Sequence, residues 1–75
     1  MKLVVLGLGY VGLANVAYLI NHGQKNVVAF DQDEKKIALF KAGRFPFKEA
    51  ALIDNLKKAS KKILYSSSSK DIADA

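Results

Sequence analysis

Three glycines within the first dozen residues constrain this chain more than any other feature. Gly7-Leu8-Gly9-Tyr10-Val11-Gly12 follows directly on Lys2–Leu6, whose Leu3-Val4-Val5-Leu6 run reads as a buried strand. The motif leads at once into residues 10–22, where Gly12, Val16, Leu19 and Ile20 recur at i, i+4, i+7 and i+8, the stripe of a helix. Glycine is required where a chain turns tightly out of a strand, where backbone must approach another group, and where a helix packs close on a strand. Gly7, Gly9 and Gly12 fall at those three places in turn. The spacing alone is weak, because glycines gather in many turns; the strand before it and the helix after it make it specific.

The rest of the chain extends the same pattern. Gly23 stops the first helix, and Val27–Phe30 is a second apolar run ended by Asp31, so the helix between them predicts a right-handed crossover to a parallel neighbour. Asp33 caps a second helix, with Glu34 in its first turn, Ile37 and Phe40 on one face and Gly43 as its stop. After a connection at Arg44–Phe47 punctuated by Pro46, a third helix is predicted over about Lys48–Ala59. Its buried stripe is Leu52, Ile53, Leu56 and Ala59, with Lys58 and Lys62 outward. Ile63–Tyr65 reads as a third short strand. Ser66–Ser69 suits a polar linker, but Ser68 with Asp71 three residues on also forms a capping box, and a further helix carrying Ile72 and Ala73 is the preferred reading.

These elements predict an α/β chain: a partial Rossmann fold with a three-stranded parallel sheet in the order 3-2-1, flanking helices, and both faces of the first strand covered. Residues 1–75 are expected to be the N-terminal part of a nucleotide-binding domain, with the remainder of that domain and any catalytic domain absent. A sheet left open beside its first strand predicts self-association or marginal stability for the 75-residue polypeptide.

The chemistry implied is dinucleotide binding, carried largely by backbone. The amides of Tyr10 and Val11, at the start of the first helix, face a pyrophosphate with the positive end of the helix dipole behind them. Asp31 sits close to the spacing of about 20 residues at which an acidic side chain meets the adenosine ribose, and its charge repels the extra phosphate of NADP, which favours NAD. The plainer reading is a tight turn without a ligand, with Asp31 as a strand-end residue; the agreement of strand, glycines, helix and acid weighs against it. His22, the single histidine, sits at a helix C-terminus where the dipole accommodates it. Tyr18 is assigned to packing. Phe45 and Phe47 are read as a hydrophobic clamp between helices rather than the lining of a sugar pocket.

Composition closes off other chemistries. Hydrophobic residues make up 51% and charged residues 25%, which supports a folded core. With no cysteine, neither a disulfide, a thiolate metal site nor a thiol nucleophile is available here, and no metal site is expected. The formal charge of +5 raises the question of nucleic acid, but Lys57, Lys58, Lys61 and Lys62 crowd one helix end, where they offset its dipole, and no nucleic-acid motif accompanies them. No stretch approaches the ~20 apolar residues of a membrane span. The expectations are therefore no nucleic acid, no membrane and, by default, a cytoplasmic location.

The Tyr10-Val11 pair inside the glycine motif, with Leu13 after it, resembles the opening of the UDP-glucose/GDP-mannose 6-dehydrogenases. The resemblance continues through Asp31-Gln32-Asp33-Glu34-Lys35-Lys36, where the family has an Asp followed five residues later by Lys or Arg, both on NAD, and through Gly43-Arg44-Phe45-Pro46. It implies NAD contacts for Asp31 and Lys36. Where the family often has Pro-Ile-Tyr-Glu-Pro-Gly-Leu, this chain has Pro46-Phe47-Lys48-Glu49-Ala50-Ala51-Leu52, keeping the Pro, Glu and Leu, and Glu49 is assigned no function.

The resemblance further implies a homo-oligomeric parent that oxidises the C6 hydroxyl of a nucleotide sugar to a carboxylate with two NAD, most nearly on UDP-glucose, in polysaccharide biosynthesis. Its catalytic Cys lies far downstream of the part this chain resembles. The candidate cofactor residues are thus Gly7, Gly9, Tyr10, Val11, Gly12, Asp31 and Lys36, and the candidate catalytic residues none. The main alternative is an NAD-sensing regulatory module of the kind attached to ion channels; a basic nucleic-acid-binding module ranks third.

Overall fold

The computed structural model describes residues 3–72. In chain order these form β1 (Leu3–Leu6), α1 (Tyr10–Asn21), β2 (Val27–Phe30), α2 (Glu34–Lys41), α3 (Ala50–Lys58) and β3 (Ile63–Ser66), with one-turn 3₁₀ segments at Ser60–Lys62 and Ser69–Asp71. The strands pair in parallel in the order β1-β2-β3, so β2 is central and Leu3, Val27 and Ile63 lie in one row, Val5, Ala29 and Tyr65 in another. The expected sheet and its order stand.

The same registers sort the side chains into two faces. Val5, Val27, Ala29, Ile63 and Tyr65 join one core with Leu13, Val16, Ala17 and Ile20 of α1, Ile37 and Phe40 of α2, and Leu52 and Leu56 of α3. All three helices therefore cover a single face. Right-handed crossovers explain this: β1-α1-β2 and β2-α2-α3-β3 step across the sheet in the same direction, so both connections pass over the same side.

The expectation that both faces of β1 are covered is corrected accordingly. Its residues are half-buried at Leu3, Val4 and Val5, and Leu6 is 66% exposed. The row opposite the helices carries Val4, Val28 and Leu64, then Leu6, Phe30 and Ser66.

Local chemistry sets the boundaries. Asp33 caps α2 by accepting hydrogen bonds from the Lys35 and Lys36 N–H groups, at 2.9 and 3.3 Å. The buried stripe of α1 is Leu13, Val16, Ala17 and Ile20, one residue round from the expected set, because Gly12 lies against the turn and has no side chain to bury while Leu19 is only half-buried. Helix α3 begins two residues later than expected, since Lys48 and Glu49 remain in the extended approach from Pro46. The helix expected after Ser68 is also corrected. Ser68 accepts from the Lys70 N–H, and a 3₁₀ turn over Ser69–Asp71 follows; the Asp71 carboxylate accepts from the Ser66 hydroxyl, and the Ser68 N–H donates to the Ser66 Oγ at 3.0 Å. Ala73 lies outside the described residues.

Candidate dinucleotide site

The glycine motif sits at the carboxyl end of β1, beside the carboxyl end of β2, the position where open parallel sheets bind ligands. Gly7 has φ 81°, in the left-handed region that only glycine enters freely, and its N–H donates to the Phe30 carbonyl at 2.9 Å. That turn aims the chain across the top of the sheet. Gly12 then comes so close to it that a Cβ would lie 2.0 Å from the Gly7 carbonyl oxygen. Gly9 has neither constraint: its φ is an ordinary −79°, and a Cβ there meets no atom within 4 Å beyond its chain neighbours, so the space above it is open to an incoming group.

Gly9 is also the N-cap of α1 and supplies no side-chain cap, and no acidic residue stands in the first turn. The N-terminus of a twelve-residue helix, with its aligned amides, therefore has no side-chain cap and could receive an anion. Tyr10 and Val11, which open α1, are 48% and 70% exposed. This arrangement fits a pyrophosphate held by backbone N–H groups.

Asp31 lies at the end of β2, anchored by its N–H donating to the Ser66 carbonyl. One carboxylate oxygen accepts from the Leu8 N–H at 2.9 Å and stands 3.9 Å from the Lys36 ammonium. The other accepts from the Asp33 N–H at 2.9 Å. The backbone hydrogen bonds from Asp33 and Leu8, with the Lys36 charge behind them, hold its carboxyl below the usual carboxylate range despite partial burial. An anionic acceptor thus stands beside the glycine turn, with the two residues of the family pattern in one ion pair.

A cleft of about 560 Å³ opens beside it, lined by Leu6, Gly7, Phe30, Asp31, Gln32, Ser69 and Ile72. Another depression, of about 470 Å³, lies at the opposite ends of the strands around Asn26, Lys61, Lys62 and Leu64. It is remote from the glycine turn, and the carboxyl-end rule favours the first as the candidate ligand cleft.

Two contacts escape sequence reasoning. Asp31 holds the loop through Leu8, a bond between residues 23 apart that no local pattern signals. The Tyr10 hydroxyl donates to the Glu49 carboxylate, which raises the tyrosine's pKa, and the Tyr10 ring meets Phe47 edge-on at 5.3 Å. The retained Glu of the connection was the one available sign of it. Phe45 and Phe47 stack at 5.9 Å and join Phe40 of α2 to Tyr10 of α1, which is the expected clamp. His22 lies on the far end of α1, stacked on Tyr18, with Nδ1 2.8 Å from the Tyr18 carbonyl.

The model of the NAD binding domain of the UDP-glucose/GDP-mannose dehydrogenase family matches residues 1–75. The chain belongs to that family. NAD is accordingly the cofactor of this kind of domain. A UDP-N-acetyl-D-mannosamine dehydrogenase of Methanococcus vannielii is 41% identical over 58 residues, covering 77% of this chain and 13% of the relative. A UDP-glucose 6-dehydrogenase of Campylobacter jejuni is 41% identical over 49 residues, covering 65% and 12%. Among solved structures, the UDP-D-ManNAc dehydrogenase of Pyrococcus horikoshii superposes with a TM-score of 0.85 at 27% identity, over 96% of this chain and 18% of that one. The chain thus spans under a fifth of the length of these relatives. Among the described residues no helix is long and apolar enough to cross a membrane, and no cluster of metal-ligating side chains occurs.

Proposed function

We propose that this chain forms the adenosine-diphosphate side of the NAD site of a nucleotide-sugar dehydrogenase that oxidises the C6 hydroxyl of a UDP-hexose, UDP-glucose foremost, to a carboxylate with two NAD. The observation that carries the reading is the uncapped N-terminus of α1 beside the Asp31 carboxylate, with open space at Gly9 between them. In this reading residues 1–75 are the opening part of the NAD-binding domain, and the catalytic groups belong to other parts of the parent enzyme.

Each residue then has a distinct task. Gly7 turns the chain, Gly12 lets α1 sit against that turn, and Gly9 leaves room for the diphosphate. The Tyr10 and Val11 amides donate to its oxygens. Asp31 keeps lone pairs free for the ribose hydroxyls, because each of its oxygens has room for acceptances beyond the backbone bonds it already takes. Lys36 neutralises part of the Asp31 charge. A bound NAD would supply the hydride acceptor for the oxidation, and Gly9, Tyr10, Val11 and Asp31 of this chain would bind and orient its adenosine-diphosphate end.

The decisive assay is NAD reduction by the full gene product with UDP-glucose, UDP-N-acetylmannosamine and GDP-mannose. Turnover with UDP-glucose is expected. Turnover with UDP-N-acetylmannosamine alone redirects the substrate assignment, in line with the names of several relatives. NAD binding without turnover on any sugar puts the sensing module first. In the same protein, Asp31→Ala is expected to weaken NAD binding about tenfold or more and to erode discrimination against NADP, since a charged hydrogen-bonding partner of the ribose is lost. Unchanged NAD affinity refutes the ribose assignment.

A further inference from the structure

We infer that Glu49 is a positioning residue for the dinucleotide site, acting through the Tyr10 hydroxyl on the first turn of α1. The inference rests on the reading that this turn receives the diphosphate.

Glu49 occupies the N-cap of α3 with extended backbone, φ −74° and ψ 100°, yet its side chain makes no capping bond to its own helix. The carboxylate instead reaches across to α1 and accepts from the Tyr10 hydroxyl, 39 residues away in sequence. Glutamate is not a favoured N-cap side chain, so its carboxylate is not tied to the start of α3 and is available to the Tyr10 hydroxyl. Tyr10 is the first residue of α1, so the bond acts on the turn whose amides face the ligand. Because Gly9 offers no side chain and no acidic residue stands in that turn, α1 itself provides no anchor there.

The other end of the connection is fixed as well. Phe47 packs edge-on against the Tyr10 ring, Phe45 stacks on Phe47, and Phe40 stacks on Phe45 at 5.4 Å, with Tyr65 of β3 beyond it at 6.0 Å. This aromatic run ties residues 44–49 to α2 and the sheet. Glu49 is therefore presented to Tyr10 from a segment packed through its rings on α2 and β3. The glycine motif is held from two sides: Asp31 fixes its start through the Leu8 N–H, and Glu49 fixes its helical end through the Tyr10 hydroxyl. Both anchors are carboxylates accepting from the loop, a charge-assisted and directional form of restraint.

Positioning and simple charge predict opposite results. As a bare negative charge near a diphosphate, Glu49 opposes binding, and removing it tightens NAD. As a positioning residue, it aids binding, and removing it loosens NAD. The test compares Tyr10→Phe, Glu49→Ala and the double variant in the full chain, by NAD titration and by hydrogen exchange at the Leu13 amide, which donates to Gly9 in the first turn. Tyr10→Phe removes the bond while keeping ring and charge.

Each single variant is expected to lower NAD affinity about fivefold, the worth of roughly one hydrogen bond, with the double variant no worse than either. Leu13 exchange is expected to accelerate in all three without ligand, while Glu49→Gln, which retains an acceptor, restores much of both. Tighter NAD binding by Glu49→Ala, additive losses, or unaltered Leu13 exchange overturns the proposal. If exchange accelerates while affinity holds, Asp31→Ala tells the failures apart. An affinity loss there means that the Glu49 contact is merely structural; no loss means that the assignment of Asp31 and this turn to the cofactor fails, and the positioning role with it.

Discussion

Asp31 serves the fold and the proposed ribose contact with one side chain. Its carboxylate holds the Leu8 and Asp33 N–H groups, so its lowered pKa is also a statement about folding. The ionised form is favoured in the folded state, so the stabilisation is present above the ordinary carboxylate range of about 4 and is lost as pH falls through the lower folded value. Acid denaturation curves should show this arm in the native chain and a weaker one in Asp31→Asn. Tyr65 offers the opposite case. Its hydroxyl is buried with no hydrogen-bond partner among the described residues, and burial pushes its pKa up to about 12. Because the neutral phenol is favoured in the fold, the contribution is complete below the ordinary value of about 10 and drains away as pH rises towards 12. Tyr65→Phe should therefore stabilise the chain by about 1 kcal/mol in chemical denaturation, by relieving the unpaired hydroxyl, and should remove the alkaline arm. Destabilisation by Tyr65→Phe means that the hydroxyl has a partner.

At the scale of the elements, the glycine turn separates folding from binding by position. Gly12→Ala drives a Cβ to 2.0 Å from the Gly7 carbonyl, backbone against backbone, so α1 must move off β1; a loss of about 2–3 kcal/mol is expected. Gly9→Ala meets open space at an ordinary φ of −79° and should cost no more than about 1 kcal/mol, the difference between Gly and Ala at an N-cap, while NAD affinity falls. Urea melts paired with NAD titrations of both variants check the contrast, and a large stability loss at Gly9 contradicts it. The glycine motif was legible in the sequence because its restraints are local: a tight turn, a close approach, a helix start. Asp33 was equally legible, since a cap acts within three residues. The Ser68 turn was not, because Asp71 binds a side chain of the preceding strand, a choice that capping rules do not contain. The Tyr10–Glu49 contact was hidden for a related reason: the pattern that reports on it spans 39 residues and depends on how α3 lies across α1.

Across the whole molecule, the sheet order was legible from the lengths of the crossovers, whereas the uneven cover of its two faces was not. Continuous apolar strands suggest two covering layers, and apolarity alone does not tell which side a helix takes. The common hand of successive crossovers does, and it leaves Val4, Leu6, Phe30 and Leu64 facing away from all three helices. Leu6 and Leu64, at 66% and 47% exposure, give this face an accessible apolar character, and β1 and β3 both present an unpaired edge among the described residues. A 75-residue polypeptide of this kind can hide that surface only against another surface. Purified alone, it should self-associate, with the mean mass from light scattering rising with concentration. Leu64→Lys, on the open row of an edge strand, should shift the population towards monomer without altering the core beneath the helices. The salt response identifies the force at work: the formal charge of +5 makes copies repel, so added salt should promote an association driven by apolar burial. A strictly monomeric, stable polypeptide at all concentrations would show that the open face is tolerated in water.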